Sequence, residues 1–173
     1  MNKKKIIRYI KILGILALLF AIFKGVFILF LLIALSFSMS FVVNTLNLRS
    51  IGLELVTFVA VLSGMKYGPW IGLLISLVLI SYHMLAGGFF ANYLMWVIPA
   101  YSLAGLIAGF FPATDVTTLG IYVTFGININ NTIWTALTSP GYLPKYMIFV
   151  VTNIVFNMLL FSLFAKTVLL LLI

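Results

Sequence analysis

Apolar residues run along this chain in blocks long enough to cross a bilayer, and short polar or glycine- and proline-bearing breaks divide them. Read against those breaks, the pattern predicts six spanning helices, at about 26–46, 53–65, 69–84, 92–111, 117–138 and 145–171. The segment 3–23 differs. Its Lys4, Arg8 and Lys11 fall at i, i+4 and i+7 on one helical face, as in a helix lying along a membrane interface. Residues 1–24 therefore read as a basic interfacial helix and 25–173 as a single six-helix transmembrane domain. The expected fold is all-α and polytopic. The lengths of the runs and the lack of period-two alternation exclude a β-barrel.

The sharpest break is Ser63-Gly-Met-Lys-Tyr-Gly-Pro-Trp-Ile-Gly72, a tight turn that returns one span as the next. Gly64, Gly68 and Gly72 recur every four residues across it. Gly105-Leu-Ile-Ala-Gly109 and Ala34-Leu-Ser-Phe-Ser38 are small-xxx-small patterns that permit close contact, within the bundle or with a membrane partner.

Composition agrees with a bilayer environment. Hydrophobic residues are 65% of the chain and charged residues 7%, against about 25% charged in soluble domains. The net charge of +8 could suggest nucleic acid, but Lys3, Lys4, Lys5, Arg8 and Lys11 gather in the first eleven positions, where anionic lipid is the expected partner. A secretory leader is the competing reading of 12–23; no small-x-small cleavage site closes that run. With the tail in the cytoplasm, Lys24, Lys66 and Lys166 share its side, while Arg49 and Lys145 fall outside. Both termini are then cytoplasmic in a cell membrane. Counting 3–23 as a seventh span would put the tail outside, against the positive-inside bias.

Polar groups inside a bilayer need partners, so their positions carry information. Thr124, Asn128, Asn131, Thr135 and Thr138 follow a 4-3-4-3 spacing on one stripe of span five, and span six adds Asn153 and Asn157 at i, i+4. Two readings fit: hydrogen-bonding glue between helices, or contact with a ligand. In the assigned topology Asn131, Trp134, Thr135 and Asn153 share the outer half of the membrane with Glu54, His83, Asn92 and Trp96. These eight residues form the candidate solute site. Glu54 hints at a cationic group on the solute, or else pairs with Arg49 or His83; Trp96, Tyr93 and Tyr146 equally suit an interfacial aromatic belt.

Several chemistries lack their residues. There is no cysteine, and a single histidine cannot build a metal site alone. No Ser-His-Asp set, phosphate loop or paired intramembrane carboxylates occur, and no acid lies mid-span for proton coupling, so neither catalysis nor a bound cofactor is expected.

Six spans, a Gly-Pro turn read as Ala60-Val-Leu-Ser-Gly-Met-Lys-Tyr-Gly-Pro-Trp-Ile-Gly72, a Gly87-Gly-Phe-Phe90 loop and Leu103-Ala-Gly-Leu-Ile-Ala-Gly109 give this chain a family resemblance over about 26–172. It resembles the substrate-binding (S) component of energy-coupling factor transporters. The resemblance implies capture of a vitamin-like solute from outside and work with a transmembrane coupling protein and two ATPase subunits. It also implies a small-residue docking face on span one, for which Ala34 and Ser38 are the nearest match and Ala17-xxx-Ala21 lies upstream. The alternative, from another class, is a structural cell-shape protein of the MreD type, acting through protein partners. An outer pocket of about 300 Å3 or more lined by Trp96, Asn131 and Asn153 favours the first; a packed interior there favours the second.

Overall fold

The computed structural model describes residues 3–48, 50–86 and 92–172, and their side chains except those at 3, 4, 7, 8 and 16–22. Arg49, the Gly87–Phe90 loop, the Lys3, Lys4 and Arg8 side chains and the Ala17-xxx-Ala21 pair lie outside that description. The described residues form helices and no strand: α1 (Lys3–Thr45), α2 (Val56–Tyr67), α3 (Pro69–Leu85), α4 (Leu94–Phe110), α5 (Val116–Thr138), α6 (Leu143–Leu163) and α7 (Ala165–Leu171), with a short 3-10 turn at Pro140–Tyr142.

Three boundaries differ from the sequence pattern. Lys24-Gly25 does not interrupt α1, which continues for 43 residues, about 65 Å at 1.5 Å per residue. One glycine in a helix costs only about 1 kcal/mol, and here the missing Cβ lets the Leu172 carbonyl and the Tyr67 hydroxyl approach Gly25. The expected span 145–171 is broken at Phe164, separating α6 from α7. The expected span 53–65 begins three residues late, because 52–54 is non-helical.

The helix starts follow local chemistry. Gly68 alone joins α2 to α3, with φ 93°, and Pro69 opens α3. Asp115 caps α5 by accepting from the Thr118 backbone N–H at 3.0 Å. The Glu54 carboxylate accepts from the Thr57 N–H at 2.9 Å in the first turn of α2.

Helix α2 is the centre. Residues Val56 to Met65 are all buried, with α3, α4, α5, α6, α7 and α1 arranged around them. Glycines set the closest approach: a Cβ at Gly64 or Gly72 would strike the Gly105 carbonyl, and one at Gly109 would strike the Pro69 backbone. The spaced glycines of the sequence thus bind α2, α3 and α4 together at one end of the bundle. Lys24, Lys66, Asp115 and Lys166 gather toward that end, where Lys166 Nζ pairs with Asp115 at 2.9 Å.

Buried polar side chains share the interior with an apolar core, and many large apolar side chains face outward. Ser36, Ser40, Ser76, Thr124, Asn128 and Asn157 are at most 1% exposed, whereas Phe30, Trp70, Met95 and Leu137 are at least 67% exposed. An apolar exterior of this extent is compatible with insertion into a membrane. Phe23–Thr45 and Pro140–Leu163 are long and apolar enough to cross a membrane, with mean hydropathy 2.7 and 2.0. Val56–Tyr67, Pro69–Leu85 and Leu94–Phe110 are apolar but shorter.

Candidate functional site

At the end of the bundle opposite the glycine cluster, the C-terminus of α1, the 50–51 connection, the last turns of α3, the start of α4, the last turns of α5 and the start of α6 surround a cavity of about 450 Å3. That volume lies within the range of ordinary small-molecule sites. Its wall is built at helical spacing. Tyr93, Val97 and Tyr101 recur every four residues on α4 with Trp96 beside them, and Asn131, Thr135 and Ser139 follow at fours on α5 and just beyond it. From α6 and the turn before it come Tyr142, Lys145, Tyr146 and Phe149.

The polar groups of the wall are held from behind. His83 Nδ1 and the Ser40 hydroxyl are 2.9 Å apart, and Asn44 Nδ2 donates to the His83 carbonyl at 3.2 Å. These bonds tie α3 to α1. Asn131 Oδ1 accepts from Asn130 Nδ2 at 3.2 Å, and the buried Tyr146 hydroxyl meets no partner among the described residues. The Trp96 indole N–H is buried and meets no acceptor among the described residues. Buried donors are seldom left so, and a ligand acceptor is one way to complete such a group. Trp96 stacks on Trp134 with ring centroids 6.1 Å apart. Tyr146 stacks on Phe149 at 5.6 Å, and Lys145 Nζ sits 5.8 Å over the Tyr142 ring.

Four of the eight residues expected at a solute site line this cavity: His83, Trp96, Asn131 and Thr135. Trp134 does not; it backs Trp96 and faces a second, apolar groove between α4 and α5. Asn92 is exposed ahead of α4 and is absent from the wall. Glu54 and Asn153 also lie off the wall, in a buried network one helical turn deeper. There Asn153 Nδ2 donates to Glu54 Oε1 at 3.2 Å and to the Gly52 carbonyl at 3.0 Å. Asn157 Nδ2 reaches the same carboxylate oxygen at 3.0 Å, and Asn128 Nδ2 donates to Asn153 Oδ1 at 2.8 Å.

Glu54 precedes α2 rather than lying mid-span, yet it is buried rather than paired at the surface. Glu54 is 1% exposed. The non-helical 52–54 segment turns it inward against α6, where Gly52 N–H donates to Thr152 Oγ1 at 2.8 Å. Glu54 lies off the cavity wall, whose described residues include Lys145 and no carboxylate, so it makes no direct contact with the cavity.

Sequence reading passed over Asn44, Ser50, Tyr101, Tyr142 and Phe149, all of which line the cavity. The Tyr93–Val97–Tyr101 period of four was the available signal for Tyr101. Nothing local in the sequence marks Asn44 or Ser50 as wall residues. Ala34 and Ser38 are both exposed on α1, and the Ser38 hydroxyl donates to the Ala34 carbonyl at 2.8 Å. No family model, curated protein or solved structure matches this chain.

Proposed function

We propose that this protein is a membrane-embedded solute-binding subunit that captures a small ring-bearing molecule in the cavity between α1, α3, α4, α5 and α6. The observation that carries the reading is the cavity itself: about 450 Å3, walled by Tyr93, Trp96, Tyr101, Tyr142 and Tyr146, with the Trp96 indole N–H awaiting an acceptor. Aromatic walls favour a planar ring, and Lys145 with no opposing carboxylate favours a neutral or anionic solute. A structural scaffold acting only through partners has no use for such a space.

The bundle spans the membrane six times, with the cavity outside and both termini in the cytoplasm. The apolar exterior, the basic residues at the opposite end and the positive-inside bias support this orientation. The basic start of α1 continues its span beyond the cytoplasmic end, where anionic headgroups are the expected partner. Energy comes from a coupling protein and two ATPase subunits, as in the energy-coupling factor transporters that the sequence resembles. The Ala34–Ser38 face suits such a partner because the internally bonded serine leaves it small and apolar.

The test is native mass spectrometry of the purified protein with a panel of vitamins and related ring compounds, followed by thermal shift. Retention of one compound with stabilisation supports the reading. Absence of any bound small molecule, together with co-purification of envelope-assembly proteins, sinks it in favour of the MreD-type alternative.

A further inference from the structure

Around Glu54 the hydrogen-bond acceptors outnumber the donors, and the surplus is fixed in place. Asn157 Nδ2 already donates to Glu54 Oε1 and to the Asn153 carbonyl, at 3.0 and 3.2 Å. Asn128 Nδ2 already donates to Asn153 Oδ1 and to the Thr124 carbonyl, at 2.8 and 2.9 Å. Flipping either amide would turn its oxygen toward oxygens, so both Oδ1 atoms stay acceptors. Both are buried and meet no donor among the described residues. Their residues are 0% and 1% exposed, and Glu54 is 1% exposed.

Charge is unbalanced as well. Glu54 accepts from Thr57 N–H, Thr57 Oγ1, Asn153 and Asn157, all neutral donors. Among the described residues the ion pair is at the other end of the bundle, between Asp115 and Lys166. His83 is placed on the cavity wall, where its Nδ1 meets the Ser40 hydroxyl at 2.9 Å. A water molecule would supply hydrogens to the orphan oxygens and leave the carboxylate charge in a low-dielectric interior. A cation answers both deficits.

We propose that Glu54, Asn128 and Asn157 bind one monovalent alkali cation of the sodium class. A single carboxylate matches a single positive charge, and an all-oxygen donor set suits a hard ion. The non-helical segment carrying Glu54 is also the kind of interrupted backbone that accommodates ions inside membrane bundles. The site lies one turn of α5 below Asn131, so its occupancy braces the floor of the cavity. This proposal goes beyond the solute reading and is tested without any solute.

The experiment is thermal denaturation of the full chain in detergent, titrating NaCl against N-methyl-D-glucamine chloride at constant ionic strength, with LiCl and KCl in parallel. The expected result is a saturable rise in melting temperature with sodium, about 5–10 °C at roughly one hundred times the dissociation constant. Glu54→Gln should abolish that rise. Identical melting curves in sodium and the organic cation would overturn the proposal, whether or not the variant folds. Stabilisation on lowering the pH, with no sodium effect, would place a proton on Glu54 instead and equally overturn it.

Discussion

Asn153 Nδ2 lies 3.2 Å from Glu54 Oε1, joining α6 to the connection ahead of α2 across 99 residues of sequence. The same nitrogen donates to the Gly52 carbonyl, so one side chain fixes where the 52–54 segment crosses the bundle. Asn157 repeats the contact one turn on. Replacing Asn157 with leucine strips a donor from a buried carboxylate, with a cost of about 1–3 kcal/mol. Thr138→Val, at an exposed position, should stay within about 0.5 kcal/mol of wild type. Melting temperatures in detergent compare the two; equal losses would deny the network its role.

Glycine replacements should divide by location. A Cβ at Gly105 meets the Gly72 backbone and the Ser76 hydroxyl, whereas one at Gly126 meets nothing within 4 Å. Gly105→Ala forces backbone apart and should destabilise by about 1–3 kcal/mol. Gly126→Ala relieves a flexible helical position and should stabilise by about 0.5–1 kcal/mol. Thermal unfolding of both variants checks the sign of each change.

Acid should loosen the basic end. The Asp115 carboxyl is held below its ordinary range, first by the hydrogen bond from Lys166 and then by the Thr118 backbone N–H. A lowered folded value means that the contribution is present above the ordinary carboxylate range and is lost as pH falls through the folded value. Asp115→Asn should therefore flatten the acid limb of a melting-temperature profile by lowering the neutral plateau slightly, while leaving the most acidic values nearly unchanged. Both groups are exposed, so salt should weaken the same effect.

The chain has no cysteine, so single cysteines report sidedness without background. In intact cells a membrane-impermeant maleimide should label Ser139→Cys at the cavity mouth. Thr114→Cys, at the end carrying Asp115 and Lys166, should label only after permeabilisation. The reverse pattern would invert the proposed topology.

Much of this architecture was legible because glycine and proline punctuate it. The turn around Gly68 marked the α2–α3 boundary, and the threonine–asparagine stripe placed Thr124, Asn128, Asn131 and Thr135 on the buried face of α5, where they are, while its last member, Thr138, is exposed at the helix end. Helix periodicity carries that information locally. It does not carry the path of 46–55. Glu54 sits next to an apolar run, and a carboxylate there reads as interfacial; only contacts with Asn153 and Asn157, about a hundred residues away in sequence, draw it inward. The stripe accordingly divides in space. Asn131 and Thr135 face the cavity, while Asn128 serves the network, a division that spacing alone cannot express. The continuity of α1 through Lys24-Gly25 was hidden for the opposite reason, since a charged residue and a glycine together mimic a break.

The central claim is that the cavity holds a solute, and the most direct measurement is ligand retention in native mass spectrometry by wild type and by Trp96→Ala. Trp96 supplies a ring face and a buried donor, so its loss should weaken binding about tenfold or more. The account predicts one ring-bearing molecule retained per wild-type chain and strongly reduced retention in the variant. Wild-type protein that retains no compound from the panel, or a variant that retains it equally well, would contradict the account.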